Sequence, residues 1–399
     1  MKKRIISALV AVLLIACTGL LSGCIVVMEH TCKFDTFGGY TVVDGKVYEV
    51  VKCSCGNAYK TNPGDNLIVA TPENAQSVLD GELGSLDGKT VFFMAGEYTQ
   101  KLYFGRPNAS IGSNTVYKGL QGETVIEGID AIAAMTWGSR YYTRAISNVT
   151  FTGEEGVVLP SIEASSGHVH GDGHDYVLDV DFTGSGYYLT HIFENITFKG
   201  LSFAGNLDFE TAQGVTMIGE EVFQPATSID GLSFVDCSFT TGGTESDKGA
   251  ALRVYSENEN DNQVIKNVSL VNCKFNNCRQ GLYSHHVYNV TVNGCEFDGT
   301  GHNAIAIQCH GNLAFNHGDI AIIGNTFKNV GDRIIRFNTA DAKTITITGN
   351  VAVNCGDEDG QVIKATSLAV GITYVISGNN WGEGAVIANA ELVDEAAKE

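Results

Sequence analysis

One eight-residue phrase recurs through the second half of the chain, and it constrains the fold more than any other feature. It first reads Ile196-Thr-Phe-Lys-Gly-Leu201-Ser-Phe203. It returns as Leu232–Phe239, Val268–Phe275, Val290–Phe297, Ile320–Phe327, Ile345–Ala352 and Tyr374–Trp381. Successive copies start 36, 36, 22, 30, 25 and 29 residues apart, and a weaker copy opens at Val149. Each copy alternates apolar and polar residues, breaks at a Gly/Asn corner and resumes, usually with an aromatic. That is a short strand, a bend and a second short strand. A period that varies above a floor of 22 residues describes a coil of fixed size with loops inserted at particular corners. Such a coil also accommodates the length. A single globular core rarely grows past about 250–300 residues, whereas a repeat grows in one dimension, and this chain has 399 residues.

A second phrase lies between the copies. It reads Leu252–Tyr255, Leu282–His285, Ile305–Gln308, Ile335–Asn338 and Ile363–Thr366. It supplies a third strand per coil. Three short strands in a 22-residue turn resemble the right-handed parallel β-helix of the pectin-lyase-like superfamily. The resemblance spans about 65–385 and is strongest after 196. Two columns fit it: Cys237, Cys273 and Cys295, and Asn325, Asn350 and Asn379. On stacked coils, asparagine amides at a buried corner satisfy one another and the backbone. The ladder thiols are expected to be free and buried, because side chains on neighbouring rungs run parallel. Cys278 and Cys355 share an offset three rungs apart. That is about 14 Å at strand spacing, too far for a disulfide.

The expected class is therefore all-β, with a β-helix over 63–385 and a tail over 386–399. Thr71-Pro72-Glu73-Asn74 reads as the N-capped start of a helix over Ala75–Leu79, with Pro at its first position, capping the first coil. Asn389–Lys398 reads as a short helix at the other end.

The N-terminus has its own signature. Met1–Arg4 is basic, Ile5–Leu21 is apolar, and Leu21-Ser22-Gly23-Cys24 closes the run. This is the layout of a secretory signal, and its end resembles the lipobox of bacterial lipoproteins. The resemblance implies cleavage of 1–23 and acylation of Cys24. The protein would then be exported and lipid-anchored at a bacterial membrane, facing outward, as a monomer. Residues 24–62 read as a tether with a small Cys/His module. His30, Cys32, Cys53 and Cys55 could bind zinc as a Cys₃His set, or Cys32 could form a disulfide with Cys53 or Cys55.

Charge narrows the partners. With 45 Asp+Glu against 25 Lys+Arg the formal net charge is -20. Loss of Lys2, Lys3 and Arg4 with the signal lowers it by three more. Such a balance argues against nucleic acid as a partner.

Candidate sites are weighed within this frame. The His168-Val-His170-Gly-Asp172-Gly-His174-Asp175 run matches no metal-ligand spacing and reads as a polar turn. Asn148, Asn195, Asn267 and Asn289 head Asn-x-Ser/Thr triplets, but they fall at a repeat corner, so they read as structural. The third strand is more informative. Its flanking apolar residues should point inward. Alternation then puts Arg253, Tyr283, Ala306, Arg336 and Lys364 outward in one column, and Tyr255, His285, Gln308, Asn338 and Thr366 in the next. Within the superfamily such a stripe holds polysaccharide. The resemblance implies a uronate carboxylate neutralised by Arg, Lys or Ca²⁺, and for the lyases a Lys, Arg, His or Tyr that removes the adjacent proton. No paired-Asp set of the hydrolase type and no Arg-x-Pro-x-x-Arg is present, and Gly301-His302-Asn303 is a fragment of a signature. The expectation is a non-catalytic glycan-binding or adhesin-like surface module. The alternatives are a lyase or hydrolase of acidic polysaccharide, and a solvated face without a ligand.

Overall fold

A computed structural model gives the architecture. It describes residues 33–99, 102–103, 113–119, 124–126, 129–130, 143–153, 161–163, 190–210, 216–218, 221–223, 226–245, 249–256, 265–308, 317–338 and 341–394. Cys24, His30, Cys32 and the 168–175 run lie outside them. The chain divides into two compact units, Met1–Asn62 and Pro63–Glu399.

The larger unit is a right-handed parallel β-helix of three sheets. An eleven-stranded sheet collects the first strand of each coil, from Leu67–Ala70 to Thr373–Ser377. A nine-stranded sheet collects the second, from Gly96–Tyr98 to Val351–Val353. A seven-stranded sheet collects the third, from Leu207–Glu210 to Val386–Ile387. This last strand carries the helix two residues past the expected end at 385. Neighbouring strands within each of these sheets pair in parallel, as at Val290↔Ile320, Phe297↔Phe327 and Ile305↔Ile335.

Like residues stack because the register repeats. Phe203, Phe239, Phe275, Phe297 and Phe327 form an inner aromatic column with centroids 5.0, 4.5, 4.6 and 5.2 Å apart. These steps match the roughly 4.8 Å between strands. The cysteines and asparagines prove to be one column, each just ahead of its second strand. Asn325 Nδ2 donates to Asn350 Oδ1 at 3.0 Å, and Asn350 Nδ2 to Asn379 Oδ1 at 2.9 Å. Backbone amides join in: Cys295 N donates to Asn325 Oδ1 at 2.8 Å and Asn325 N to Asn350 Oδ1 at 2.9 Å. Asp394 ends the series, accepting from Asn379 N at 3.0 Å. Cys237, Cys273 and Cys295 are free thiols and buried, as expected. The thiols donate weakly to carbonyls of their own corner and of the preceding coil, as Cys273 Sγ does to Val271 O and Phe234 O, both at 3.5 Å.

Asn148, Asn195, Asn267 and Asn289 take the left-handed conformation, with φ of 57°, 54°, 56° and 58°. Asparagine tolerates that region better than other side chains. Asn289 Nδ2 donates to Asn267 Oδ1 at 2.8 Å, and Asn195 Nδ2 to Asn148 Oδ1 at 3.1 Å. These triplets are corner ladders.

The end elements differ from expectation in detail. The helix over Ala75–Leu79 forms and buries Ala75, Val78 and Leu79. Pro72 sits in the turn before it, and Asn74 does not cap it. Asn74 Oδ1 instead accepts from Thr71 N at 2.7 Å, which closes the turn. At the other end the described helix is one 3₁₀ turn, Ala390–Leu392, capped by Asn389.

The N-terminal unit contains an antiparallel sheet, Phe34–Val43, Lys46–Cys53 and Ala58–Thr61. Its first turn is Asp44-Gly45, both at positive φ (51° and 71°), the geometry that an Asp-Gly hairpin favours. The reading of 24–62 as a tether passed over this hairpin. Cys53 is buried and Cys55 exposed on a turn closed by Gly56 N to Cys53 O at 2.9 Å. Among the described residues no three His, Cys, Asp or Glu side chains gather as a metal site, and no helix is long and apolar enough to cross a membrane.

Candidate functional site

The third strands place both expected columns in register. Arg253 pairs with Tyr283, Tyr283 with Ala306, Ala306 with Arg336 and Arg336 with Lys364. Tyr255, His285, Gln308 and Asn338 follow in the same way. The inward residues Leu252, Val254, Ile305, Ile307, Ile335 and Phe337 are fully buried, so alternation was a sound guide to direction.

Direction and exposure part company along the column. Arg253, Tyr283 and His285 are 9%, 7% and 2% exposed, and Ala306 is fully buried. Ala250, Tyr283 and Ala306, with Tyr255 against them, form a small apolar cluster separate from the main core. Arg253 Cζ lies 4.3 Å over the Tyr255 ring, and the Tyr255 and His285 rings stack at 4.3 Å. His285 and His286 Nδ1 both lie within reach of Ser256 O, at 3.2 and 2.9 Å. Burial pushes the Tyr283 hydroxyl above its ordinary range, against the pull of Arg253 and Arg336. This part of the stripe is a packed aromatic and cationic platform.

Two coils further on the face opens. Arg336, Asn338 and Lys364 are half-buried and Thr366 is exposed. Arg336 and Lys364 are register neighbours, about 5 Å apart by strand spacing. Neither makes an ion pair among the described residues, and the Arg336 Nε is buried without a partner. Asp357, an acid in the loop between these two coils, is taken by Arg333 Nη2 at 3.0 Å. Two cations side by side repel, by about 1 kcal/mol in water and more near protein.

Beside these cations lies a network that sequence reasoning set aside. His302 Nδ1 is 2.5 Å from Asp332 Oδ2, and Asp332 Oδ1 is 2.5 Å from Arg333 Nη1. Arg333 continues to Asp357. Burial lowers the His302 pKa first, Asp332 opposes that, and Arg279 and Arg336 add to the lowering. The imidazole is therefore neutral near pH 7. The adjoining Asn303 is 1% exposed with Oδ1 unpartnered. The signal for this network was available. His302 and Asp332 each sit three residues before the third strand, at Ile305 and Ile335, so the repeat aligns them on neighbouring coils.

Comparison with known proteins yields no matching family model and no match among curated proteins. Solved structures similar to this chain share its fold at low identity. A polygalacturonase from Erwinia carotovora ssp. carotovora is 14% identical, over 79% of this chain and 96% of that one, with a TM-score of 0.35. A mannuronic acid-specific polysaccharide family 6 lyase from human gut microbiota is 10% identical, over 79% and 86%, with a TM-score of 0.27. The A-module of an Azotobacter vinelandii mannuronan C-5 epimerase is 13% identical, over 82% and 97%, with a TM-score of 0.23. Superpositions this loose carry no functional argument.

Proposed function

We propose that the chain is an exported, lipid-anchored surface protein whose β-helix binds an anionic glycan along the Arg336–Lys364 face. The observation that supports this reading is the pair of register-adjacent cations with no acidic partner among the described residues. A carboxylated sugar relieves their repulsion and a neutral one does not. The cations supply the charge that calcium would otherwise bring, so chelation should leave binding unchanged.

Affinity electrophoresis through polygalacturonate and polymannuronate tests the reading. Binding should weaken with salt, because the cations reach solvent. Retention by a neutral glucan alone, insensitive to salt, would move the site elsewhere. The anchor is tested separately. Cys24→Ala should abolish incorporation of labelled fatty acid, and unchanged incorporation would remove Cys24 from the proposal.

A further inference from the structure

The glycan face lies wholly in the larger unit and leaves the smaller one, Met1–Asn62, without a role. The register of its antiparallel sheet sorts the side chains into two faces, because residues paired across strands point the same way. Phe37, Val51 and Tyr59 are register partners across all three strands. Phe34 and Tyr40 pair with Cys53 and Glu49, two residues either side of Val51, and so share that face. The three lysines of the strands, Lys46, Lys52 and Lys60, alternate onto the opposite face. Phe37 and Tyr59 are each 48% exposed. The rings meet edge to face, Phe34 with Tyr59 at 4.7 Å and 80°, and Phe37 with Tyr40 at 5.1 Å and 69°. Rings tilted in this way make a rough apolar surface, and not the level platform on which a sugar ring stacks.

Charge separates the two units as sharply as shape does. Residues 24–62 carry four Lys against four Asp and Glu, a net of zero, and residues 1–23 carry +3. The total of -20 therefore leaves -23 on residues 63–399. A bilayer with anionic lipid repels that charge but does not repel the hairpin unit. Position along the chain acts in the same direction. Cys24 stands ten residues before Phe34, and ten extended residues span at most about 35 Å. Acyl chains on Cys24 would hold the sheet within that distance of the lipid. A tether so short gives an effective concentration on the order of millimolar, enough to populate a contact too weak to form from solution.

We propose that the Phe34–Phe37–Tyr40–Tyr59 face is a membrane contact, lying in the headgroup layer of the bilayer that carries the anchor, with Lys46, Lys52 and Lys60 turned to water. The proposal rests on the lipid-anchored reading of Cys24 and says what the segment after the anchor does. Tyrosine settles at headgroup level, where its ring meets acyl chains and its hydroxyl stays wet. An aromatic face backed by a lysine face is also the pattern of elements that lie in the interface plane. The segment is then a second foothold on the membrane and not a free leash.

The test uses the lipidated full chain in vesicles of phosphatidylethanolamine and phosphatidylglycerol, with and without bromine on the acyl chains. Phe37→Trp should lose emission on the brominated vesicles. Tyr288→Trp, at a 38% exposed position of the β-helix, should lose none. Hydroxyl-radical labelling of the unsubstituted chain gives a second reading. Phe37 and Tyr59 should be oxidised severalfold less on vesicles than in the chain made without the lipid, and Tyr288 equally in both. Unquenched Phe37→Trp and unchanged labelling, with fatty acid still incorporated at Cys24, overturn the contact and leave the anchor standing. Absence of fatty acid from the chain removes the anchor and the contact together. Protection without lipid that rises with protein concentration assigns the face to a second copy of the chain, and protection by polyuronate alone assigns it to glycan. Either result overturns the proposal.

Discussion

The coils that carry Cys237, Cys273 and Cys295 and those that carry Asn325, Asn350 and Asn379 share one backbone path but solve different problems. In the cysteine coils the corner is filled by thiols that pack as small apolar groups, and the outer face is a buried platform of Arg253, Tyr283 and His285. In the asparagine coils the corner is a hydrogen-bonded chain ending on Asp394, and the outer face shows Arg336 and Lys364 to solvent. The repeat therefore fixes where a side chain points. What it contributes to stability or to binding depends on what else reaches that place.

Replacing one corner residue in each set tests the contrast most strongly. Asn350→Leu strands the Asn325 amide and the Ile322 carbonyl, both bonded to it now, at about 1–3 kcal/mol each. Cys295→Ala removes a small packing group and two weak sulfur hydrogen bonds, to Asn293 O and from Cys273 N, and should cost about 1 kcal/mol. Equal losses of melting temperature would show that the asparagine chain is not a unit, and Thr346→Ala should leave the melting temperature unchanged as a control.

On the outer face the contrast reverses. Arg336→Ala with Lys364→Ala should abolish polyuronate retention with little change in melting temperature, because half-buried like charges that form no ion pair among the described residues contribute little to stability. Tyr283→Ala should lower the melting temperature by opening the small cluster with Ala250 and Ala306. If the double substitution unfolds the protein, the later face is structural as well.

Thiol chemistry sharpens the same comparison. Burial raises the Cys278 pKa to about 11, and burial with the Cys273 contact holds Cys237 far above its ordinary value. Within the β-helix, iodoacetamide at pH 8 should modify half-exposed Cys355 first, with Cys237, Cys273, Cys278 and Cys295 labelled only on unfolding. Mass spectrometry of peptides distinguishes the order, and early labelling of Cys273 would show that the corner opens.

The smallest expected effect is on pH. His317 is fully buried, its Nδ1 lies 3.0 Å from Asp341 O, and burial lowers its pKa. His302 is lowered as well. The unfolded chain then binds more protons than the folded one as pH falls through about 6.5. The histidines' share of stability is complete above that value and declines below it. His317→Gln should flatten the acid limb of a denaturation series, and an unchanged slope would assign it to carboxylates.

Much of the fold was legible in the residues because a parallel coil repeats its register. The spacing from Ile196 to Tyr374 located the first strands, and the offset of Leu252 or Ile335 located the third. The corner asparagines were readable because only a short polar side chain suits a left-handed bend, and stacking then pairs it with its neighbours. Asp44-Gly45 was equally local, since an Asp-Gly pair favours the positive φ that this hairpin turn needs. Site residues were legible as directions only. Arg253 and Arg336 occupy the same repeat position, and nothing in the two phrases distinguishes them, yet one is 9% exposed and the other half-buried with a free flank. His302 and Asp332 were legible in the repeat, since each stands three residues before a third strand. They lie 30 residues apart and meet only because a coil of that length returns the chain to the same corner.

The sequence alone determined the coil, its three strands, its corners and the sign of its charge, since each follows from local periodicity, which backbone geometry enforces residue by residue. Tertiary structure alone decided that half of the outward stripe is covered, and that Asp357 pairs with Arg333, leaving Arg336 and Lys364 without an acidic partner among the described residues. Those outcomes depend on which side chains from different coils reach one another first, and burial and pairing energies act through space, where order along the chain no longer ranks the competitors.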